Sequence, residues 1–145
     1  MERVRLIFLG LAVLFVPTQH LYSNHKLIED VRSDNFSRFE ENGKVGLKDD
    51  AGQVLIPAIY DAIGWSNGKF SIIEKAVGYK SNGFWGLIHT SDKVITPAEF
   101  LELKPGEGSL LVAQKRSPLS QRPSFGVINT TGKVVIPFAY DGLHL

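Results

Sequence analysis

Hydrophobic and polar positions change character twice along this chain. Residues 6–16 are an unbroken apolar run, residues 18–35 are polar and mixed, and from residue 36 the apolar residues come in short stretches cut by Gly, Asn, Asp and Ser. Short β-branched stretches bounded by turn formers predict strands rather than helices. Three of them follow one pattern: VGLKDDAGQVLIPAIYD from Val45, WGLIHTSDKVITPAEFL from Trp85 and FGVINTTGKVVIPFAYD from Phe125. Gly46, Gly86 and Gly126 are spaced by 40 residues, as are Pro57, Pro97 and Pro137, and as are Tyr60, Phe100 and Tyr140. A fixed period of this size marks a repeat array.

Each copy reads as strand, turn, strand, proline, aromatic. Val45 and Leu47, Trp85 and Leu87, and Phe125 and Val127 alternate onto one face of the first strand. The glycine between them weakens a strand and marks a close approach by another backbone or ring, expected here from the neighbouring repeat. The turns DDAG, HTSD and NTTG open with Asp49, His89 and Asn129 and close with Gly52, Asp92 and Gly132, which fits a type I turn followed by a residue at positive φ. The return strands QVLI, KVIT and KVVI are nearly continuous in apolar residues. They are expected to be covered on both faces and to stop at Pro, which has no N–H for a ladder. A third strand type is expected at FSIIEK from Phe70 and LLVAQK from Leu110, one period apart, with its counterpart at Phe36–Glu40 before the hairpin dipeptide Asn42-Gly43. The units are then 36–61, 70–101 and 110–141. In the second and third, the loop before the Gly strand swells, at 76–83 and 116–124. Insertions at one point of successive repeats fall on one face.

Composition narrows the classes. The chain has 145 residues, 16 Lys+Arg against 15 Asp+Glu, and no Cys. That length suits one domain or a short array. A net charge of +1 gives no electrostatic footprint for nucleic acid. Without Cys, disulfides, thiolate catalysis and a lipoprotein anchor are excluded. Arg3 and Arg5 ahead of the apolar run, and Pro17 after it, give residues 1–23 the pattern of a signal peptide or N-terminal anchor helix, with 24–35 as a spacer. The alternative is a buried N-terminal helix. An uncleaved segment would be the chain's only contact with a membrane.

These residues resemble the bacterial WG-repeat family (WG-containing, or KWG, repeats). The resemblance is carried by Trp85-Gly86, by Val45-Gly46 and Phe125-Gly126 as degenerate versions, by the cores from Gly52 to Pro57 and from Gly132 to Pro137, and by the endings Tyr60-Asp61 and Tyr140-Asp141. It covers about residues 36–145. The middle copy departs from it at Asp92 and at Phe100-Leu101. Members of the family are mostly exported or envelope-associated proteins without an assigned chemistry, so the resemblance implies a β-repeat scaffold.

The expected fold is therefore all-β: three antiparallel hairpin-type repeats of about 40 residues over 36–145, stacked in a curved or solenoid-like array. No catalytic, cofactor or metal site is expected. His20 and His25 lie in the spacer region, His89 replaces a turn Asp or Asn, and His144 is near the last residue, with no ligand spacing among them. Asp61 and Asp141 occupy equivalent places beside a repeated aromatic, which favours structural hydrogen bonding over an acid–base pair. Lys115, Arg116 and Arg122 make one loop basic, and Trp65 and Tyr79 fall in Gly/Asn-rich connectors. Loop aromatics and arginines are favoured at interfaces, so these five residues are the candidate partner-binding set, the alternatives being a solvated loop and rings that cover the core. The expected function is an exported, non-enzymatic binding or scaffold module for a protein or envelope component. A self-assembling envelope component and a cell-wall-directed hydrolase are the alternatives.

Overall fold

A computed structural model describes residues 35–145; the expected signal or anchor segment and the spacer up to residue 34 lie outside them. The described chain is all-β, with eleven strands in three antiparallel sheets. The first sheet holds β1 (Phe36–Glu41), β2 (Lys44–Asp49) and β3 (Val54–Tyr60) in that order. The second holds β4 (Ala62–Ile63), β5 (Ala76–Ser81), β6 (Phe84–His89) and β7 (Lys93–Phe100). The third holds β8 (Glu102–Pro105), β9 (Leu110–Arg116), β10 (Pro123–Asn129) and β11 (Val134–Tyr140). No helix among the described residues is long and apolar enough to cross a membrane.

The turns form where local chemistry dictates. Asn42-Gly43 and Asn82-Gly83 all have positive φ and close two-residue hairpins, the backbone that type I′ turns require. At the other end of β2 and β10, Asp49 and Asn129 cap their own turns by accepting the N–H of Gln53 and Lys133 at 2.9 Å each. Gly52, Asp92 and Gly132 share the predicted left-handed conformation, with φ of 80°, 68° and 84°.

Three expectations are corrected. FSIIEK is not a strand: β5 begins at Ala76, and residues 73–76 form a tight turn with Glu74 and Lys75 both left-handed. The apparent 40-residue match of 70 with 110 is two changes that cancel. β9 opposes Gly126 at Ala113 and β5 opposes Gly86 at Tyr79, a step of 34, because the third hairpin is six residues longer, with residues 117–122 in place of the Asn-Gly turn and one more ladder pair, while the connector ahead of β9 is shorter. The swollen stretch 76–83 is thus mostly strand. Secondly, the return strands do not stop at Pro. β3, β7 and β11 run through Pro57, Pro97 and Pro137 and are outermost in their sheets, where a missing N–H leaves no central ladder broken. Thirdly, these strands are not covered on both faces: Val54, Val94, Val134 and Val135 are about half exposed and Ile59 is 60% exposed.

The sequence unit and the sheet are out of phase. After Tyr60 the chain crosses at Asp61 and β4 pairs with β5 of the next sheet, Ile63 opposite Tyr79. After Phe100 it crosses at Leu101 and β8 pairs with β9, Leu103 opposite Ala113. Two cores result, one on each side of the middle sheet. Val45, Leu47, Ile56, Ile63, Val77 and Ile88 fill the first; Leu87, Phe100, Leu103, Leu111 and Ile128 fill the second with Trp65. Adjacent Leu87 and Ile88 serve opposite cores across a bulge in the β6–β7 ladder.

The recurring glycine receives a ring from its own unit, not from the neighbouring repeat. A Cβ at Gly46 would lie 2.6 Å from the Phe39 ring, at Gly86 2.6 Å from the Tyr79 ring, and at Gly126 2.8 Å from the Phe138 ring. In the first two units the ring comes from the opposing strand and position 58 or 98 is Ala. In the third the opposing residue is Ala113 and the ring comes from Phe138 on the return strand. That ring meets the terminal aromatic of the preceding unit: Tyr60 and Tyr79 centroids are 4.8 Å apart, and Phe100 and Phe138 stack at 5.9 Å and 13°.

Two stability predictions follow from this packing. Gly86→Ala should cost about 2 kcal/mol or more, because its methyl also meets the Thr96 carbonyl oxygen at 2.8 Å and a backbone atom cannot swing aside. Gly142→Ala, where nothing lies within 4 Å, should stay within about 0.5 kcal/mol. Urea melts of the two variants check the contrast. Asp92→Gly should stabilise by about 0.5–1 kcal/mol, since its counterparts Gly52 and Gly132 hold the same positive φ without a Cβ penalty. The same melts read that gain.

Candidate functional site

Of the five sequence-selected residues, two are interior. Trp65 is 2% exposed and sits in the core between the second and third sheets. Its indole N–H donates to the Ser71 carbonyl at 3.0 Å and to the Ser71 hydroxyl at 2.9 Å. Its neighbour Ser66 exchanges hydrogen bonds with Leu103, donating its N–H to the Leu103 carbonyl and accepting the Leu103 N–H on its hydroxyl. The connector is therefore a plug over the core. Tyr79 is 5% exposed on β5, with its ring on Gly86 and its hydroxyl donating to the Thr96 carbonyl at 3.0 Å. Neither ring is presented to a partner; the reading of Trp65 and Tyr79 as exposed connector aromatics is corrected by their burial.

The other three lie together at the β9–β10 hairpin. Lys115 and Arg116 end β9, and residues 117–122 form a loop held by its own backbone: Gln121 N–H to the Ser117 carbonyl and Ser117 N–H to the Arg122 carbonyl, both 3.0 Å. Arg116 Nη1 donates to the Gln121 carbonyl at 3.1 Å, which fixes one arm of the guanidinium and leaves the other nitrogens as donors. Lys115 Nζ stands 4.5 Å from the centroid of the Phe138 ring. Arg122 is exposed on the same loop.

Lys115, Arg116 and Pro118 face the end of the neighbouring hairpin across a groove of about 320 Å³, whose other lining residues are Phe84 and Glu99. Phe84 is 41% exposed. In the second unit Lys80 Nζ lies 5.7 Å from the Trp85 ring centroid, so both units carry a lysine over an aromatic. Phe84 and Glu99 were not selected from the sequence. The signal was there: Asn82-Gly83 is the same dipeptide as Asn42-Gly43, and reading it as a two-residue turn places Phe84 at the start of a strand beside the turn.

Asp61 is a structural hydrogen-bonder. Its carboxylate takes the Lys44 ammonium at 2.5 Å and the Asn82 N–H at 3.1 Å, so it ties β2 to the next sheet's hairpin turn. Leu101 replaces it where the following hairpin has no Asn-Gly turn. His89 Nδ1 accepts the Ser91 N–H at 3.1 Å in the manner of a turn-capping Asp. Among the described residues no group of three His, Cys, Asp or Glu is placed to hold a metal ion.

The WG-containing repeat family matches residues 46–75 and 125–144. These two stretches are WG-containing repeats. The matched stretches begin at or beside the ring-bearing glycines Gly46 and Gly126 and run through the turn, the return strand and the terminal Tyr-Asp. The chain's literal Trp85-Gly86 pair lies outside both, in the unit whose turn and ending depart from its sisters. In all three units the shared geometry resides in the glycine and its ring rather than in the tryptophan. No curated protein and no solved structure matches the chain.

Asp61 generates a pH prediction. The Lys44 hydrogen bond first, and the Asn82 N–H second, hold its carboxyl below the ordinary carboxylate value. A depressed pKa contributes stability that is present above the unfolded-state value and lost as pH falls through the folded one, here below about pH 4. Asp61→Asn should therefore be less stable than the parent at pH 6, and the gap should close toward pH 3. Urea midpoints at the two pH values measure it.

Proposed function

We propose that this WG-repeat chain is an exported, non-enzymatic binding module, a short stacked β-repeat body that holds an acidic segment of a protein or envelope component in the groove between its second and third hairpin ends. The observation that carries the reading is that groove: Phe84, Lys115 and Arg116 combine a half-exposed ring, an ammonium and a guanidinium on two successive units. Aromatic and arginine side chains are favoured anchors of interfaces, and fixed loops on a β scaffold let recognition vary without disturbing the ladders. Lys115 and Arg116 against the single lining carboxylate of Glu99 favour an acidic ligand. Packing of each sheet on the next supports the stacked-body reading, and the basic, apolar, proline-ended leader pattern supports export to the periplasm, cell surface or medium.

The half-exposed valines of the outer strands favour self-assembly through edges as the second reading. One experiment separates the two. Lys115→Ala with Arg116→Ala should change stability by roughly 1 kcal/mol or less, because both side chains lie at a hairpin end. In a pull-down from envelope extract the double variant should recover at least tenfold less of the partner that the parent recovers. Undiminished recovery, together with a mass that rises with concentration, would move the interaction to the outer strands.

A further inference from the structure

A second cavity, larger than the groove, lies where the turn of the third sheet rests on the second. It measures about 570 Å³ and is lined by Glu74, His89, Ser91, Lys93, the pair Thr130-Thr131, Val94 and Ile95. That volume is in the range of small-molecule sites. The repeat supplies an internal control for its wall. The positions of His89, Ser91 and Lys93 are Asp49, Ala51 and Gln53 in the first unit and Asn129, Thr131 and Lys133 in the third, so the lysine and a hydroxyl are shared by two units while the histidine stands in the second alone. The opposite wall is special as well. Glu74 stands in a two-residue turn in which it and Lys75 both hold positive φ, 47° and 64°, without being Gly or Asn. Such strain persists only where surrounding contacts fix it, and here they do: Glu74 Oε2 accepts the Thr130 hydroxyl at 2.5 Å, and the Lys75 carbonyl accepts the Thr90 N–H at 2.8 Å.

The chemistry of the lining is that of a charge pair held apart. His89 Nδ1 is an acceptor for the Ser91 N–H, so the neutral ring carries its proton on Nε2 as a donor. The Ser91 hydroxyl lies 2.7 Å from the same Nδ1. The Thr131 hydroxyl is taken by Asn129 at 2.7 Å. That leaves the His89 Nε2 proton and the Lys93 ammonium to meet an anion, and the Glu74 carboxylate to meet a cation. Lys93 and Glu74 line one cavity yet form no ion pair with each other. We infer that the cavity binds a small zwitterion of the α-amino acid class, its carboxylate on Lys93 and His89 and its ammonium on Glu74. This site is separate from the proposed groove, and each stands without the other.

Amide NMR titration of the full chain tests it, with L-alanine as probe and acetate and ethylammonium as its two halves. L-alanine should shift the amides of Ser91, Lys93 and Thr131 saturably, and each half-ligand should bind at least tenfold more weakly. Lys93→Gln, which installs the residue of the first unit, and Glu74→Gln, which keeps a carbonyl for Thr130, should each weaken L-alanine at least fivefold while distant amides stay in place. Absence of saturable shifts at those three amides, acetate binding as strongly as L-alanine, or unchanged affinity in both variants would overturn the assignment.

Discussion

An aromatic ring lying on a strand glycine is the contact from which the rest of this protein is built. Without the glycine the ring has no seat, since a single methyl would overlap it in all three units. Seated there, the ring of the second or third unit reaches the terminal aromatic of the unit before it, and the two cores close around these contacts. An aromatic pair of this kind contributes about 0.5–1.5 kcal/mol beyond the area it buries. The third unit shows that the constraint is on the place and not on the residue. When the opposing strand offers Ala113, the return strand offers Phe138 where its sisters have alanine.

What was legible in the sequence was what short-range chemistry decides. Asn42-Gly43, the capping Asp49 and Asn129, and the positive-φ positions at Gly52, Asp92 and Gly132 act within four residues, and each could be read where it stood. The repeat itself was visible because glycine, proline and ring positions keep their spacing. β5 was misplaced because a longer hairpin and a shorter connector offset each other, so counting residues pointed to Phe70 while pairing puts the strand at Ala76. β4 has two residues and exists only through its partners Tyr79 and Lys80, which no local pattern encodes.

The candidate site divided along the same line. Lys115, Arg116 and Arg122 lie at the hairpin end that the sequence marks as a basic loop, because charge beside a loop stays outside. Trp65 and Tyr79 looked like connector aromatics, and tertiary contacts draw both inward: Trp65 caps a core that its own connector covers, and Tyr79 covers a glycine across the ladder. Phe84 becomes visible only once the second Asn-Gly turn is recognised and the hairpin ends are brought side by side.

The crossing of β4 and β8 into the following sheet has a consequence for how such a protein lengthens. A gene duplication that copied residues from Phe36 to Tyr60 would deliver a sheet lacking its outer strand, while a cut between Asp61 and Ala62 respects the fold. Excising residues 62–101 removes one complete sheet and rejoins Asp61 to Glu102, so that the first unit hands its strand directly to the last. The module that carries its own outer strand is thus phased to the crossover and not to the visible motif.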